Sequence, residues 1–109
     1  MPDALIEEAA RRFALLSDPT RLRILSALLE RNTMTVTELA EGLGITAPNV
    51  SQHLARLLSA RIVARRRDGR KLRYSVEDQS LQPLCELVCN SLRDQAERLR
   101  PGWPREAAG

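Results

Sequence analysis

The sequence predicts a mainly α-helical domain carrying one small β-hairpin, and three observations predict it. Leu, Ala and Val dominate the apolar residues while only Phe13, Tyr74 and Trp103 are aromatic, which disfavours a sheet-rich fold. Apolar residues recur at helical spacing along most of the chain, and the period turns to alternation only near Leu72 to Val76. Capping patterns and a glycine-containing turn divide the helical part into short pieces. With 109 residues, the chain is long enough for one domain, residues 1–100, with a modest core. The tail PGWPREAAG, residues 101–109, holds two prolines and two glycines and reads as disordered.

The first helix spans residues 4 to 16, with Leu5, Ile6, Ala9, Ala10, Phe13 and Leu16 at helical spacing. Ser17-Asp18-Pro19 ends it and starts the next, Asp18 as cap and Pro19 in a first turn that needs no N–H from it. The second helix carries Leu22, Ile24, Leu25, Leu28 and Leu29 and runs out near Arg31-Asn32. In TVTE, Thr35 and Glu38 have capping-box spacing and open a short third helix on Leu39, Ala40 and Leu43. Gly42 and Gly44 permit a tight turn, after which Thr46 caps a fourth helix with Pro48 in its first turn and Val50, Leu54, Leu57 and Leu58 inward. Two short helices joined this way form a helix-turn-helix. After Ile62-Val63 the pattern alternates, and Asp68-Gly69 suits a hairpin turn. A last helix runs from Leu81 to about Leu99 on Leu81, Leu84, Leu87, Val88, Leu92, Ala96 and Leu99.

No stretch of eighteen apolar residues exists and the amino terminus lacks a basic region ahead of an apolar one, so neither a membrane span nor a signal peptide is expected and a cytoplasmic location is. Charge is concentrated. Seven basic residues against Asp68 give residues 61 to 73 a local charge of +6, although the whole chain carries only +3. Such a basic segment in an otherwise mildly acidic protein points to a polyanion, most often nucleic acid. Thr46, Asn49, Ser51, Gln52 and Arg56 project from the start and outer faces of the fourth helix and are types that hydrogen-bond base edges or phosphates. His53 is a further candidate there, weighed against a packed or hydrogen-bonded role. On the hairpin, Arg66, Arg67, Arg70, Lys71 and Arg73 are candidates for phosphate contacts that position without specifying sequence.

The stretches LLSDPTRLRILSALL, ELAEGLGIT, NVSQHLARLLSARIV and RRRDGRKLRYSV together resemble the ArsR/SmtB family of small winged-helix repressors, over roughly residues 5 to 100. The resemblance implies a winged helix-turn-helix homodimer joined through its first and last helices. The fourth helix would enter the major groove of an operator, the hairpin wing would touch backbone or minor groove, and an inducer would lower affinity. This chain departs from the family pattern at Ala47 and Asn49, where many relatives carry Gln and Ala. Ser59-Ala60-Arg61 also replaces a pattern ending in Gly; Arg61 in the left-handed conformation would cost about 1 kcal/mol unless the turn differs.

Cys85 and Cys89, in PLCELVC, are the only cysteines. In a reducing compartment a permanent disulfide is disfavoured. Residues i and i+4 on a helix hold their Cβ atoms about 5 to 6 Å apart, against about 3.8 Å in a disulfide, so an intrahelical bridge would be strained. A soft ion, with metal–sulfur bonds near ~2.3 Å, fits more easily, and a symmetric dimer would supply four sulfurs. Three family sites are missing. The cysteine motif of arsenic and cadmium sensors has no counterpart in VTELAEGLG, and the zinc pattern keeps Asp78 but has Ser80, Ser91 and Asp94 for its histidines. The second-helix cysteine of sulfur-responsive relatives is also lacking. What remains resembles members that sense arsenite-like or other thiophilic species, a metal or metalloid such as As(III), Sb(III) or another thiophilic ion, through last-helix cysteines. A redox or persulfide signal, and small hydrophobic thiols packed at a dimer seam, stay open as alternatives. A dithiol oxidoreductase is disfavoured because such enzymes use Cys-x-x-Cys after a strand, so no catalysis is expected. A winged helix serving only protein interaction is the other rival class.

Overall fold

The computed structural model describes residues 1–99; the tail reading therefore lies outside the described residues. The element order is α1 (Asp3–Leu16), α2 (Pro19–Arg31), α3 (Val36–Leu43), α4 (Ala47–Ser59), β1 (Val63–Asp68), β2 (Lys71–Val76) and α5 (Leu81–Leu99). The chain divides into two compact units, Met1–Asp78 and the segment from Gln79 onward.

Within the first unit the boundaries follow local chemistry. Asp18 accepts from the Arg21 backbone N–H at 2.9 Å and caps α2. Thr35 and Glu38 form both halves of the capping box, at 3.1 and 2.9 Å, and Thr46 accepts from the Asn49 N–H at 3.3 Å to start α4. Each satisfies donors that the first helical turn leaves unpaired. The core is built by Ile24, Leu25 and Leu28 of α2, Leu39 of α3, Val50, Leu54 and Leu57 of α4, and Ile62 and Val63 beyond it, all fully buried.

Three local details differ from the sequence reading. Gly42 lies inside α3, and Gly44 alone, at φ 68°, takes the left-handed conformation of the helix-turn-helix corner. The hairpin turn sits one residue later than expected. Asp68 pairs with Lys71, and Gly69-Arg70 forms the loop with positive φ at Gly69 only, which places glycine at the first central position as a type II′ turn requires. Finally, the α2–α3 connection adds a bridge that alternation in the sequence did not reveal. Met34 and Tyr74 exchange backbone hydrogen bonds of 3.1 and 2.9 Å.

The apolar stripe of α1 is not part of this core. Leu16 is buried, but Leu5, Ile6 and Phe13 are 54%, 48% and 58% exposed. In the second unit, α5 likewise exposes Leu87, Val88, Leu92 and Leu99. Helical spacing shows that a face is apolar; it does not show what covers it.

Arg61 keeps the left-handed conformation, φ 60°. Its N–H donates to Leu58 O and that of Ile62 to Leu57 O, both at 3.0 Å. This is the paired bonding of a Schellman motif, with buried Ile62 and Leu57 as its apolar contact. The turn thus has the geometry that glycine usually supplies, and an arginine bears its strain.

Candidate nucleic-acid interface and thiol pair

Thr46, Asn49, Ser51, Gln52 and Arg56 are all exposed, while Val50, Leu54 and Leu57 of the same helix are buried. The polar face of α4 therefore stands clear of the first unit's core, and its amino-terminal turn is preorganised by the Thr46 cap and Pro48. His53 is half-buried. Its Nδ1 accepts from Arg21 Nε at 3.2 Å, and because that guanidinium nitrogen can only donate, a neutral His53 carries its proton on Nε2. Arg21 in turn donates to Leu15 O at 3.3 Å and through its backbone to Asp18. The Asp18 carboxyl is held below its usual range, chiefly by the Arg21 backbone N–H.

The hairpin presents Arg65, Arg66, Arg67, Arg70 and Lys71 as exposed cations. Arg65 lies opposite Tyr74 and Arg67 opposite Leu72, so they share one face; Arg66 lies opposite Arg73 on the other. Arg73 differs from the rest of this group. Its side chain is 26% exposed, its Nε donates to Asp68 Oδ2 at 3.0 Å, and its guanidinium reaches Glu38 Oε1 at 3.5 Å. Glu38 is held below the usual carboxylate range, first by the Thr35 backbone N–H and, among smaller causes, by Arg73.

Arg12 joins α1 to the far end of this surface, pairing with Asp78 and donating to Ala60 O at 3.2 Å. Asp78, the residue that matches the zinc pattern, is thus held by an internal guanidinium. The contacts that join Arg12 to Asp78, Arg21 to His53 and Glu38 to Arg73 had no sequence signal beyond charge, because the two partners lie on different elements.

Cys85 and Cys89 are both free thiols one helical turn apart on α5, Cys85 half-buried and Cys89 exposed. Burial pushes the Cys85 thiol up, with a further contribution from Cys89. Among the described residues no group of three or more His, Cys, Asp or Glu gathers to hold a metal ion, and no helix is long and apolar enough to cross a membrane.

Residues 18–65 match the family described as bacterial regulatory protein, arsR family. The chain is 41% identical over 111 residues to the HTH-type transcriptional regulator KmtR of Mycobacterium tuberculosis, covering 100% of this chain and 82% of that protein. Among solved structures it resembles the AntR antimony-specific transcriptional repressor at TM-score 0.77 and 33% identity, covering 89% of this chain and 86% of the other. A solution structure of the homodimeric winged helix-turn-helix DNA-binding domain of Mb0332 from Mycobacterium bovis matches at TM-score 0.78 and 27% identity, covering 92% and 94%. With a relative of this identity covered over most of its length, and with the winged helix-turn-helix in place, the chain belongs to the ArsR/SmtB family of transcriptional regulators, DNA-binding proteins and not enzymes.

Proposed function

We propose that the protein is a homodimeric, cytoplasmic repressor that binds operator DNA and is released when a thiophilic metal or metalloid, of the As(III) or Sb(III) type, binds Cys85 and Cys89. Thr46, Asn49, Ser51, Gln52, His53 and Arg56 contact the major groove, and Arg66, Arg67, Arg70 and Lys71 contact phosphates. The exposed apolar faces of α1 and α5 form the dimer seam, which suits Leu5, Ile6, Phe13, Val88 and Leu92 better than water does.

The observation that carries the inducer reading is the free i,i+4 thiol pair on α5, a helix that also bears unpartnered apolar residues. A ligand there alters the seam and thereby the spacing of the two α4 helices against a groove repeat of about 34 Å. Release requires tighter ligand binding to the non-binding arrangement; a coupling of about 1 to 3 kcal/mol corresponds to roughly 5- to 150-fold in affinity. The antimony-specific repressor among the structural relatives supports this class of inducer.

The test is titration of the reduced protein–DNA complex with antimonite, arsenite and a persulfide donor, using wild type and the Cys85→Ser, Cys89→Ser double variant. Release of wild type by the metalloids, and of the variant by none, supports the reading. A double variant that antimonite still releases overturns it.

A further inference from the structure

Six of the seven basic side chains between Arg61 and Arg73 are exposed, and the seventh, Arg73, is engaged by two carboxylates. We propose that Arg73 is a positioning residue: it ties the wing to the first helix of the helix-turn-helix and does not grip phosphate. This role rests on the DNA-binding reading above and refines it.

Asp68, Arg66, Arg73 and Lys71 share one face of the hairpin by register. Two arginines directly opposite one another repel unless compensated; Asp68 on the same face and Glu38 on α3 supply that compensation to Arg73. Arg66 is left pointing to solvent. Glu38 serves two partners at once, because one carboxylate closes the capping box with Thr35 and also receives Arg73. The start of α3, which sets the helix-turn-helix, is thereby linked to the strand that sets the wing.

A cleft of about 470 Å³ separates these parts, lined by Thr35, Val36 and Glu38 on one side and Arg70, Lys71 and Tyr74 on the other. Apart from the Met34–Tyr74 bridge deeper in, the Arg73–Glu38 pair links its two sides through side chains. The wing tip, Gly69-Arg70, lies beyond both connections. Its angle to α4 decides whether wing and recognition helix can meet one duplex together.

The experiment compares wild type, Arg73→Gln, Glu38→Gln and the double variant. Glu38→Gln retains capping-box chemistry, since Gln also serves at that position, but loses the charge facing Arg73. Affinity for a mixed-sequence DNA duplex is measured across a salt series, with amide exchange of residues 65 to 71 followed in the free protein. Each single variant is expected to lose about two- to five-fold in affinity, the scale of an exposed ion pair, with an unchanged salt slope and faster exchange in the wing. The double variant should lose no more than either single one. Arg66→Gln provides the contrast, lowering the slope by about 0.9 as one phosphate contact disappears. A similar fall in slope for Arg73→Gln, additive losses, or unchanged affinity and exchange would each overturn the positioning role. Wild type showing no salt-dependent duplex binding removes the DNA reading itself and this role with it, whatever the exchange data show.

Discussion

Arg21 Nε donates to His53 Nδ1 across 3.2 Å, so the first turn of α2 fixes the ring of a residue midway along α4. In the neutral ring the expected tautomer has Nε2–H and a bare Nδ1, which long-range ¹H–¹⁵N NMR checks. Replacing Arg21 with Leu should lower stability by about 1 kcal/mol through lost hydrogen bonds, read from the urea midpoint. His53→Asn, whose side-chain oxygen can accept as Nδ1 does, should retain more stability than His53→Leu. Equal losses in the two His53 variants would mean the Arg21 bond contributes nothing.

At the end of α4, Arg61 stands where glycine would be unstrained. Arg61→Gly is expected to stabilise the fold by up to about 1 kcal/mol. Gly44→Ala should do the reverse by a similar amount, although nothing lies within 4 Å of the added methyl, because its φ of 68° disfavours any Cβ. Urea denaturation of the two variants beside wild type decides both.

Acid should loosen the caps of α2 and α3. The Asp18 and Glu38 carboxyls are held below their ordinary range by the backbone N–H groups of Arg21 and Thr35. A carboxylate depressed in the folded state stabilises above its unfolded pKa, and that contribution disappears as pH falls through the folded value. The stability difference between wild type and Asp18→Ala should therefore shrink as pH is lowered through and below the carboxylate range. Denaturant midpoints across an acid series provide the measurement, and a difference that grows on acidification would contradict it.

The two thiols should react unequally. Cys89 is exposed, whereas Cys85 is half-buried with its thiol pushed up by burial. Iodoacetamide at neutral pH should label Cys89 first, as the thiolate is the reactive form, and Cys85 labelling should continue to climb with pH past the ordinary thiol range. Peptide mass spectrometry over time resolves the order.

Leu92 and Leu54 offer contrasting apolar positions, 58% and 1% exposed. Leu92→Glu is expected to yield a folded monomer in analytical ultracentrifugation. Leu54→Ala, by opening a cavity in the core, should cost about 2 to 5 kcal/mol. A dimer that survives Leu92→Glu would move the seam elsewhere.

The sequence by itself determined the helix starts at Asp18, Thr35 and Thr46 and the existence of the hairpin, whereas the left-handed turn at Arg61 was one of two readings until the backbone decided it. Caps and turns act between residues only a few positions apart, so residue types and spacing suffice to write them. The polar outer face of α4 was legible for the same reason. Only the tertiary structure decided that Arg73 turns to Glu38, that Arg21 holds His53, that Arg12 occupies Asp78 and that Met34 joins Tyr74. It also decided which apolar positions are covered and which, such as Leu5 and Phe13 of α1 and Leu87 and Leu92 of α5, are not. Each of these pairs residues from different elements, and their meeting depends on how the helices pack and the strands register, a choice that local spacing does not encode.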